Sequence, residues 1–169
     1  MGPDSVREER LISLMDQYEV ALKRMCCVYL RDASLAEDAV QETFVKAYKN
    51  LDSFRGESDD KTWLMRIAIN TCKDMRRASW YRYVDRHVTL ESIPVPICDS
   101  TFEQAELVMD IMRLPRIYME AVLLYYYQGM TVREIAQVLK IPHQTASSRL
   151  KHAREKLRVT LEGGQSNEK

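Results

Sequence analysis

Apolar residues recur at helical spacing along nearly the whole chain of 169 residues. Long stretches place them at i, i+3, i+4 and i+7, the period that is typical of an amphipathic α-helix. Residues 125–127 are three consecutive tyrosines with strand propensity, but they lie inside such a repeat, so we expect them to be helical. The rest of the sequence contains no convincing strand pattern. The hydrophobic pattern therefore predicts an all-α fold.

Capping signals place the starts of the predicted helices. Ser or Thr followed three residues later by Glu is a capping box, in which each side chain accepts a hydrogen bond from the other residue's backbone N–H. This pair opens four predicted helices, at Ser5, Ser34, Ser100 and Thr131. A further helix is expected to begin near Thr62, where Asp60 is a candidate cap. Another is expected to begin at Pro115 and to end at Gly129.

Pro94 and Pro96 interrupt the helical pattern and discourage regular structure around them. We therefore predict two small helical domains, residues 1–87 and residues 100–162, joined by a flexible linker at residues 88–99. Residues 163–169 are polar and begin with two glycines, so the sequence predicts a disordered tail there.

The strongest local pattern lies in residues 131–158, near the C-terminus. A short helix carries the apolar stripe Val132, Ile135, Ala136 and Leu139, and a second helix carries the stripe Ala146, Leu150, Ala153 and Leu157. Pro142 separates them, because proline cannot continue the hydrogen-bond ladder of a helix. Hydroxyl, amide and cationic side chains lie on the open side of the second helix. This pattern is typical of a DNA-binding helix-turn-helix, although an ordinary helical hairpin with a solvated charged face is an alternative.

The charges of the chain cancel overall but are segregated along it. The formal net charge is zero. Residues 61–87 hold seven basic and two acidic side chains, and residues 131–161 hold the same numbers. Residues 27–60 and residues 88–113 each carry a net charge of −4. Two basic blocks separated by acidic ones indicate two surfaces that face phosphate groups.

The sequence carries no pattern that indicates catalysis, a cofactor or a metal. It lacks paired catalytic carboxylates, a Ser/His/Asp arrangement and a phosphate-binding glycine loop. Cys26, Cys27, Cys72 and Cys98 have no spacing suited to zinc, and the first three fall in apolar runs, so we expect reduced core residues. No apolar run approaches the ~18 residues of a membrane span, and the N-terminus lacks a signal-peptide core. We expect a cytoplasmic protein that is not an enzyme, needs no cofactor and does not insert into the membrane.

Two polar features remain open from residue chemistry alone. Asp38, Gln41 and Glu42 share one helix surface, for which an ordinary solvated face is the simplest interpretation. Residues 80–83 interleave aromatic rings with a cation. Such a run can stack on unpaired bases, or it can be the end of an amphipathic helix whose rings cover the core.

Two blocks of the sequence together resemble the extracytoplasmic-function (ECF) sigma factors, the small promoter-specificity subunits of bacterial RNA polymerase. The first block, from Asp38 to Asp74, reads DAVQETFVKAYKNLDSFRG…TWLMRIAINTCKD. The second block, from Leu114 to Arg158, reads LPRIYMEAVLLYYYQGMTVREIAQVLKIP…SRLKHAREKLR. The resemblance covers about residues 8–160. The two blocks in this order, with an acidic proline-containing linker between them, are highly specific.

The resemblance implies two roles for the N-terminal domain. In this family the second helix docks on the clamp helices of the largest polymerase subunit, which implies a polymerase-binding role for Asp38, Gln41 and Glu42. The loop after it and the third helix capture unpaired bases of the −10 element. The residues that this implies are Phe54, Lys61, Arg66, Asn70, Asp74, Arg76 and Arg77. Trp63 is expected in the core rather than as a stacking platform.

The resemblance implies that the C-terminal domain reads the −35 element of promoter DNA and docks on the flap of the second-largest polymerase subunit. The implied −35 contacts are Gln144, Thr145, Ser147, Ser148, Arg149, Lys151, His152 and Arg154. Sigma factors of this type are commonly held inactive by an anti-sigma factor, often membrane-anchored. The resemblance therefore implies such a partner, which would hold the protein at the inner face of the membrane.

The chain departs from the family's pattern in three places. Asp59 and Asp60 stand where small or aromatic residues are usual, so their carboxylates are expected to repel phosphate, or Asp60 caps the third helix instead. Ser147 replaces the usual lysine near the start of the last helix, which removes one cation. Lys140 stands where glycine is common, so we expect a shifted turn.

The function that we predict is that of a sigma factor, which directs core polymerase to specific promoters. A standalone helix-turn-helix regulator that binds duplex DNA without polymerase is the alternative, and a nucleic-acid enzyme is a third possibility. Residues 34–77 discriminate between the first two, because a standalone regulator has no need of them.

Overall fold

The chain folds into two compact helical units, residues 1–86 and residues 87–169. The structure, a computed structural model, describes residues 2–80 and 102–165, and the predicted linker at residues 88–99 lies outside them, as do residues 81–83. Within the described residues every regular element is a helix. The prediction of an all-α fold with two helical domains is confirmed.

Three helices form the N-terminal unit: α1 (Pro3–Leu30), α2 (Ala33–Asn50) and α3 (Asp60–Trp80). Their shared core contains Leu22, Met25 and Tyr29 of α1 packed with Leu64 and other apolar side chains of α3, all at most 1% exposed. The three cysteines of these helices are buried and free, as the sequence predicts. Burial of these side chains fixes which face of α3 points away from the core.

Three helix starts differ from the predicted ones. Helix α1 begins at Pro3 with Gly2 as its N-cap, so Ser5 lies inside the helix and is not its cap. Proline is well suited to this first position, since its missing N–H would have no partner there. Helix α2 is capped by Asp32, whose side chain accepts from the Leu35 N–H at 3.0 Å, and not by Ser34.

The cap of α3 is Asp59 rather than Asp60. The Asp59 side chain accepts a hydrogen bond from the Thr62 N–H at 2.6 Å, while Asp60 is the first residue of the helix. Hydrogen bonds from the Thr62 side chain and backbone lower the pKa of Asp59, because they stabilise its charged form. The predicted cap at Ser100 lies outside the described residues.

The C-terminal unit contains α4 (Phe102–Arg113), α5 (Arg116–Val122), α6 (Val132–Leu139) and α7 (His143–Gln165). Helix α5 continues into a π-helical turn, Leu123–Tyr127, so the tyrosine run is helical as predicted. Gly129 follows with a φ of 61°, in the left-handed region that favours glycine. Helix α7 continues to Gln165, so residues 163–165 are helical rather than part of the predicted tail, because glycine, unlike proline, keeps its backbone donor.

The predicted apolar stripes of the helix-turn-helix face the core of this unit. All four stripe residues of α7 and three of the four in α6 are buried, and Val132 is half-buried. The packing therefore sets the register of α7 and leaves its polar side chains outside. Within the described part of the chain, no helix is both long and apolar enough to cross a membrane.

Candidate nucleic-acid interface

The start of α6 is fixed by the capping box that its sequence predicts. The Thr131 N–H donates to Glu134 Oε2 at 2.7 Å, and the Glu134 N–H donates to Thr131 Oγ1 at 3.2 Å. These two bonds satisfy backbone donors that a helix start otherwise leaves unpaired. The start of the helix-turn-helix is therefore specified by its own four residues.

Lys140 ends α6 in the backbone conformation that glycine usually takes. Its φ is 53° and its ψ is 49°, and its N–H donates to the Ala136 carbonyl. Ile141 donates to the same carbonyl at 3.0 Å, after which α7 begins at His143. Lys140 therefore accepts the left-handed conformation at a cost in strain, and a shift of the turn relative to the family stays a prediction.

The predicted −35 residues all lie within the first twelve residues of α7. Thr145 and Arg149 are half-buried. The exposed members are Gln144, Ser147, Ser148, Lys151, His152 and Arg154. They span about 15 Å of helix at 1.5 Å per residue. This length of polar helix surface fits the major groove of DNA, which is about 12 Å wide.

Arg154 is held in place by two tyrosines of the π-helical turn. Its Nε donates to the Tyr126 hydroxyl at 3.2 Å, and its guanidinium carbon lies 4.8 Å from the centre of the Tyr125 ring. The bond to Tyr126 raises the pKa of Arg154, so the guanidinium stays charged. Tyr126 is absent from the predicted −35 residues. It is 55% exposed, and its only signal in the sequence is its place three residues before Gly129.

A cleft of about 650 Å³ lies on another side of the C-terminal unit, where α7 meets α4 and the start of α5. Tyr118 lines this cleft. The centres of the Tyr118 and His152 rings are 6.1 Å apart, with the rings edge to face, and Lys156 Nζ lies 5.8 Å from the centre of the Tyr118 ring. Leu114 and Pro115 add apolar walls. His152 therefore borders both the polar surface of α7 and this cleft.

In the N-terminal unit, four of the predicted −10 residues share one face of α3. Arg66, Asn70, Asp74 and Arg77 are spaced so that they follow one another along the helix, and all but the half-buried Arg66 are exposed. Lys73 lies on the same face and was missed, although its spacing of three residues from Asn70 is the signal. This face presents three cations, one amide and one carboxylate.

Two predicted residues are not on this face of α3. Arg76 is one residue away from Arg77, which turns it by about 100° around the helix. Its guanidinium lies 5.8 Å from the centre of the Tyr29 ring of α1, so Arg76 packs on the neighbouring helix. Lys61 is half-buried in the first turn, about 140° from Arg66. Both were implied by the family resemblance, which matches positions in the sequence and does not report the direction of a side chain.

Phe54 and Trp63 form a stacked pair beside the loop between α2 and α3. Their ring centres are 4.6 Å apart with an angle of 21° between the planes. Trp63 is half-buried rather than part of the core, because it covers Phe54 at the edge of the unit. Gly56, at a φ of 71°, allows the loop to turn. An aromatic surface therefore adjoins the cationic face of α3.

The two adjacent aspartates of this loop are both engaged in contacts within the unit. Asp59 caps α3, and Asp60 Oδ1 accepts from Arg10 Nη2 at 2.8 Å. An ion pair lowers the net field of a carboxylate at the surface. The expected repulsion between this pair of aspartates and phosphate is therefore reduced.

Asp38, Gln41 and Glu42 are all exposed on α2, on one continuous surface. Val45 follows at the same helical spacing and is 45% exposed. This face therefore combines acidic and amide groups with one exposed apolar side chain. Val45 is absent from the predicted polymerase-binding residues, although its spacing of three residues from Glu42 places it on the same face.

Comparisons with known proteins account for both units. Residues 14–82 match Sigma-70 region 2, and residues 106–157 match Sigma-70, region 4. The RNA polymerase sigma-H factor of Pseudomonas aeruginosa is 32% identical over 163 residues, covering 88% of this chain and 84% of the relative. The chain belongs to the ECF sigma factors. The ECF RNA polymerase sigma factor SigW of Bacillus subtilis is 29% identical, covering 91% of this chain and 90% of the relative.

Solved sigma-factor structures share the fold. CnrH, solved in complex with the cytosolic domain of CnrY, is 26% identical with a TM-score of 0.73, covering 92% of this chain and 90% of that one. The sigma factor RpoE of Bartonella quintana, solved with the anti-sigma factor NepR, has a TM-score of 0.70 at 22% identity, covering 92% and 96%.

The chain is therefore a promoter-specificity factor of RNA polymerase. Sigma factors start transcription without catalytic activity of their own. The region 2 match explains residues 34–77, which a standalone regulator does not need, so the alternative function is not favoured.

Proposed function

We propose that this sigma factor reads its promoter through two separate surfaces, α7 on the −35 duplex and α3 with its preceding loop on the unpaired −10 strand. The observation that carries this proposal is the placement of the polar residues. Packing leaves six of the eight predicted side chains of α7 exposed and gathers the Arg66, Asn70, Asp74 and Arg77 set on one face of α3. Each surface coincides with one of the two basic blocks of the sequence.

On the −35 element, the start of α7 supplies the groups that distinguish base pairs. The amide of Gln144, the hydroxyl of Ser148 and the guanidinium of Arg149 match the donors and acceptors of the major groove. Lys151 and Arg154 bind backbone phosphates, which gives affinity without sequence information. Tyr125 and Tyr126 hold Arg154 in one orientation, which lowers the ordering cost of that contact.

On the −10 element, the α3 face and the Phe54–Trp63 pair favour single-stranded DNA. Unpaired bases can stack on aromatic rings and bond through their edges, and neither contact is available in a closed duplex. Arg66, Lys73 and Arg77 follow the backbone phosphates of the strand. The unit therefore binds melted DNA better than duplex DNA, which drives opening of the promoter.

The contacts with core polymerase lie on two further surfaces, one on each unit. The Asp38, Gln41 and Glu42 surface, with Val45 within it, docks on the clamp helices of the largest subunit through acidic groups around an apolar contact. The cleft around Tyr118 receives the flap of the second-largest subunit, because apolar walls with a rim of both cations and carboxylates suit a short amphipathic segment.

A protein partner that covers the α3 and α7 surfaces keeps the factor inactive. Support comes from CnrH, whose structure was solved with the cytosolic domain of CnrY. The cationic α3 face and the basic block that contains α7 are the surfaces that an acidic or amphipathic partner would compete for. A partner of this kind locates the inactive factor in the cytoplasm, at the membrane when the partner is anchored there.

Holoenzyme assembly followed by transcription from a library of randomised −10 and −35 promoters tests the proposal. We expect the wild type to bind core polymerase and to select a narrow promoter set. Val45→Asp should weaken core binding about tenfold or more, since it places a charge in the apolar centre of the contact. Val20→Asp, which places the same charge at an exposed valine of α1, is the matched control. Failure of the wild type to bind core enzyme or redirect initiation would overturn the proposal.

A further inference from the structure

The first turns of α1 hold both ends of the loop between α2 and α3, residues 51–59, here termed the −10 loop. At the entry to the loop, Arg7 Nη2 donates to the Tyr48 carbonyl at 3.1 Å, and Arg7 Nη1 lies 3.3 Å from Asp52 Oδ2. The Arg7 guanidinium also lies 4.7 Å from the centre of the Tyr48 ring. The entry to the loop is therefore fixed by one arginine of a distant helix.

A second arginine joins the middle of the −10 loop to the residue that follows it. Arg10 Nη2 bonds to Asp60 Oδ1 at 2.8 Å, and its guanidinium carbon lies 5.5 Å from the centre of the Phe54 ring. Phe54 in turn stacks on Trp63 of α3. Arg10, Phe54 and Trp63 thus form three successive layers, and the ion pair with Asp60 holds the outermost one in place.

The rest of α1 keeps these two arginines in register with the loop. Arg7, Arg10, Leu14 and Tyr18 are spaced so that they lie on one stripe of the helix. Leu14 is only 4% exposed and anchors the stripe in the core. Tyr18 lies near the two aspartates at the start of α3. Burial raises the pKa of Tyr18 most, and the negative charges of Asp59 and Asp60 raise it further. The stripe therefore has a fixed position against the loop.

We infer that Arg10 is a positioning residue for −10 recognition, which sets the shape of the −10 loop before DNA arrives. This inference rests on the proposed function of the loop and adds a residue of α1 to it. Arg10 contacts both Phe54 and Asp60 and thereby restrains the loop segment between them. Binding of a base then costs the loop less conformational entropy. The same ion pair offsets the charge of Asp60, which otherwise faces the incoming phosphates.

Binding of single-stranded DNA by the holoenzyme tests this role. The probe is a labelled oligonucleotide with the non-template −10 sequence that the wild type selects from a random pool. Arg10→Ala should weaken its binding about threefold to tenfold, the size expected for one exposed ion pair with a cation–π contact. Binding of a −35 duplex should be unchanged. Arg24→Ala, which removes an exposed cation from the same helix, should change neither affinity.

A charge exchange separates positioning from simple loss of structure. Arg10→Asp and Asp60→Arg should each weaken binding of the −10 oligonucleotide, and the double variant should regain at least half of the loss, because the ion pair is restored. Arg10→Lys should give an intermediate affinity, since it keeps the charge but not the planar contact with Phe54.

Two results distinguish the inference from the function on which it rests. If the wild-type holoenzyme enriches no oligonucleotide from the random pool, the proposed function of the loop is wrong. If the wild type binds and Arg10→Ala binds equally well, or if the double variant recovers nothing, only the positioning role of Arg10 is overturned.

Discussion

The two DNA-facing surfaces of this sigma factor are built in different ways. The −35 surface is a single helix, α7, whose buried stripe fixes the direction of its polar side chains. The −10 surface is assembled from α3, the −10 loop and α1, and Arg10 and Asp60 at its edge are 50 residues apart in the chain. A surface of the first kind follows from local sequence, whereas one of the second kind depends on tertiary contacts. Local changes should therefore disturb the two surfaces differently.

The largest expected effects come from matched core substitutions in the two units. Leu64 and Leu150 are at most 2% exposed, in α3 and α7 respectively. Changing either to Ala should lower the free energy of unfolding of its own unit by about 2–5 kcal/mol, through lost burial and the cavity left behind. Hydrogen exchange measured by mass spectrometry on the full chain reports each unit separately.

Each of these two variants is the control for the other. Leu64→Ala should increase exchange in α1, α2 and α3 while α6 and α7 remain protected, and Leu150→Ala should do the reverse. Equal loss of protection in both units from either change would show that the units do not unfold separately.

A smaller effect is expected where α7 reads bases. Arg149→Ala should weaken binding of the preferred −35 duplex by about 1–3 kcal/mol and relax the preference at one base pair, if Arg149 bonds to a base edge. Lys151→Ala should weaken all sequences alike and reduce the slope of log affinity against log salt by about 1. Fluorescence anisotropy at several salt concentrations measures both. An unchanged base preference in Arg149→Ala would remove Arg149 from the reading residues.

Two neighbouring substitutions at the start of α2 test how a helix cap is chosen. Asp32→Ala should lower the free energy of unfolding of the N-terminal unit by about 1 kcal/mol, because the Leu35 N–H loses its acceptor. Ser34→Ala should change it by less than about 0.5 kcal/mol. Urea denaturation followed by circular dichroism compares the two. A larger loss of unfolding free energy from Ser34→Ala than from Asp32→Ala would show that Ser34 is the cap, as the sequence predicts.

The smallest expected effect is at the turn of the helix-turn-helix. Lys140→Gly should raise the free energy of unfolding of the C-terminal unit by up to about 1 kcal/mol, since glycine adopts the left-handed conformation without strain. Lys140→Ala keeps the strained Cβ and should give no gain. Thermal denaturation of both variants measures the difference, and equal stability would show that the turn carries no strain.

Where both partners of an interaction are close in the sequence, the prediction is accurate. The capping box at Thr131 and the buried stripe of α7 need only a few neighbouring residues, and both are confirmed. The cap of α2 was wrong because Asp32 and Ser34 are both suitable acceptors two residues apart. In the structure the Asp32 side chain accepts the hydrogen bond from the Leu35 N–H, and the capping pattern alone does not distinguish the two residues.

The −10 surface shows what local patterns leave out. Arg76 has the charge expected of a strand-binding residue, yet the register of α3 against α1 turns it onto Tyr29. Trp63 was assigned to the core because its stacking on Phe54 joins α3 to the loop before it, which helical spacing does not show. The contacts of Arg10 with Phe54 and Asp60 join segments that are far apart in the chain, so spacing cannot reveal them.

The central claim, that two separate surfaces read two promoter elements, is tested most directly by crossing two variants with two scrambled promoters. Holoenzymes with Arg149→Ala or with Asn70→Ala, whose exposed amide lies on the α3 face, are compared on promoters with a scrambled −35 or a scrambled −10 element. We predict that Arg149→Ala loses sensitivity to −35 scrambling and keeps sensitivity to −10 scrambling, and that Asn70→Ala does the reverse, with effects that add when combined. Equal loss of sensitivity to both elements in either variant would contradict the account.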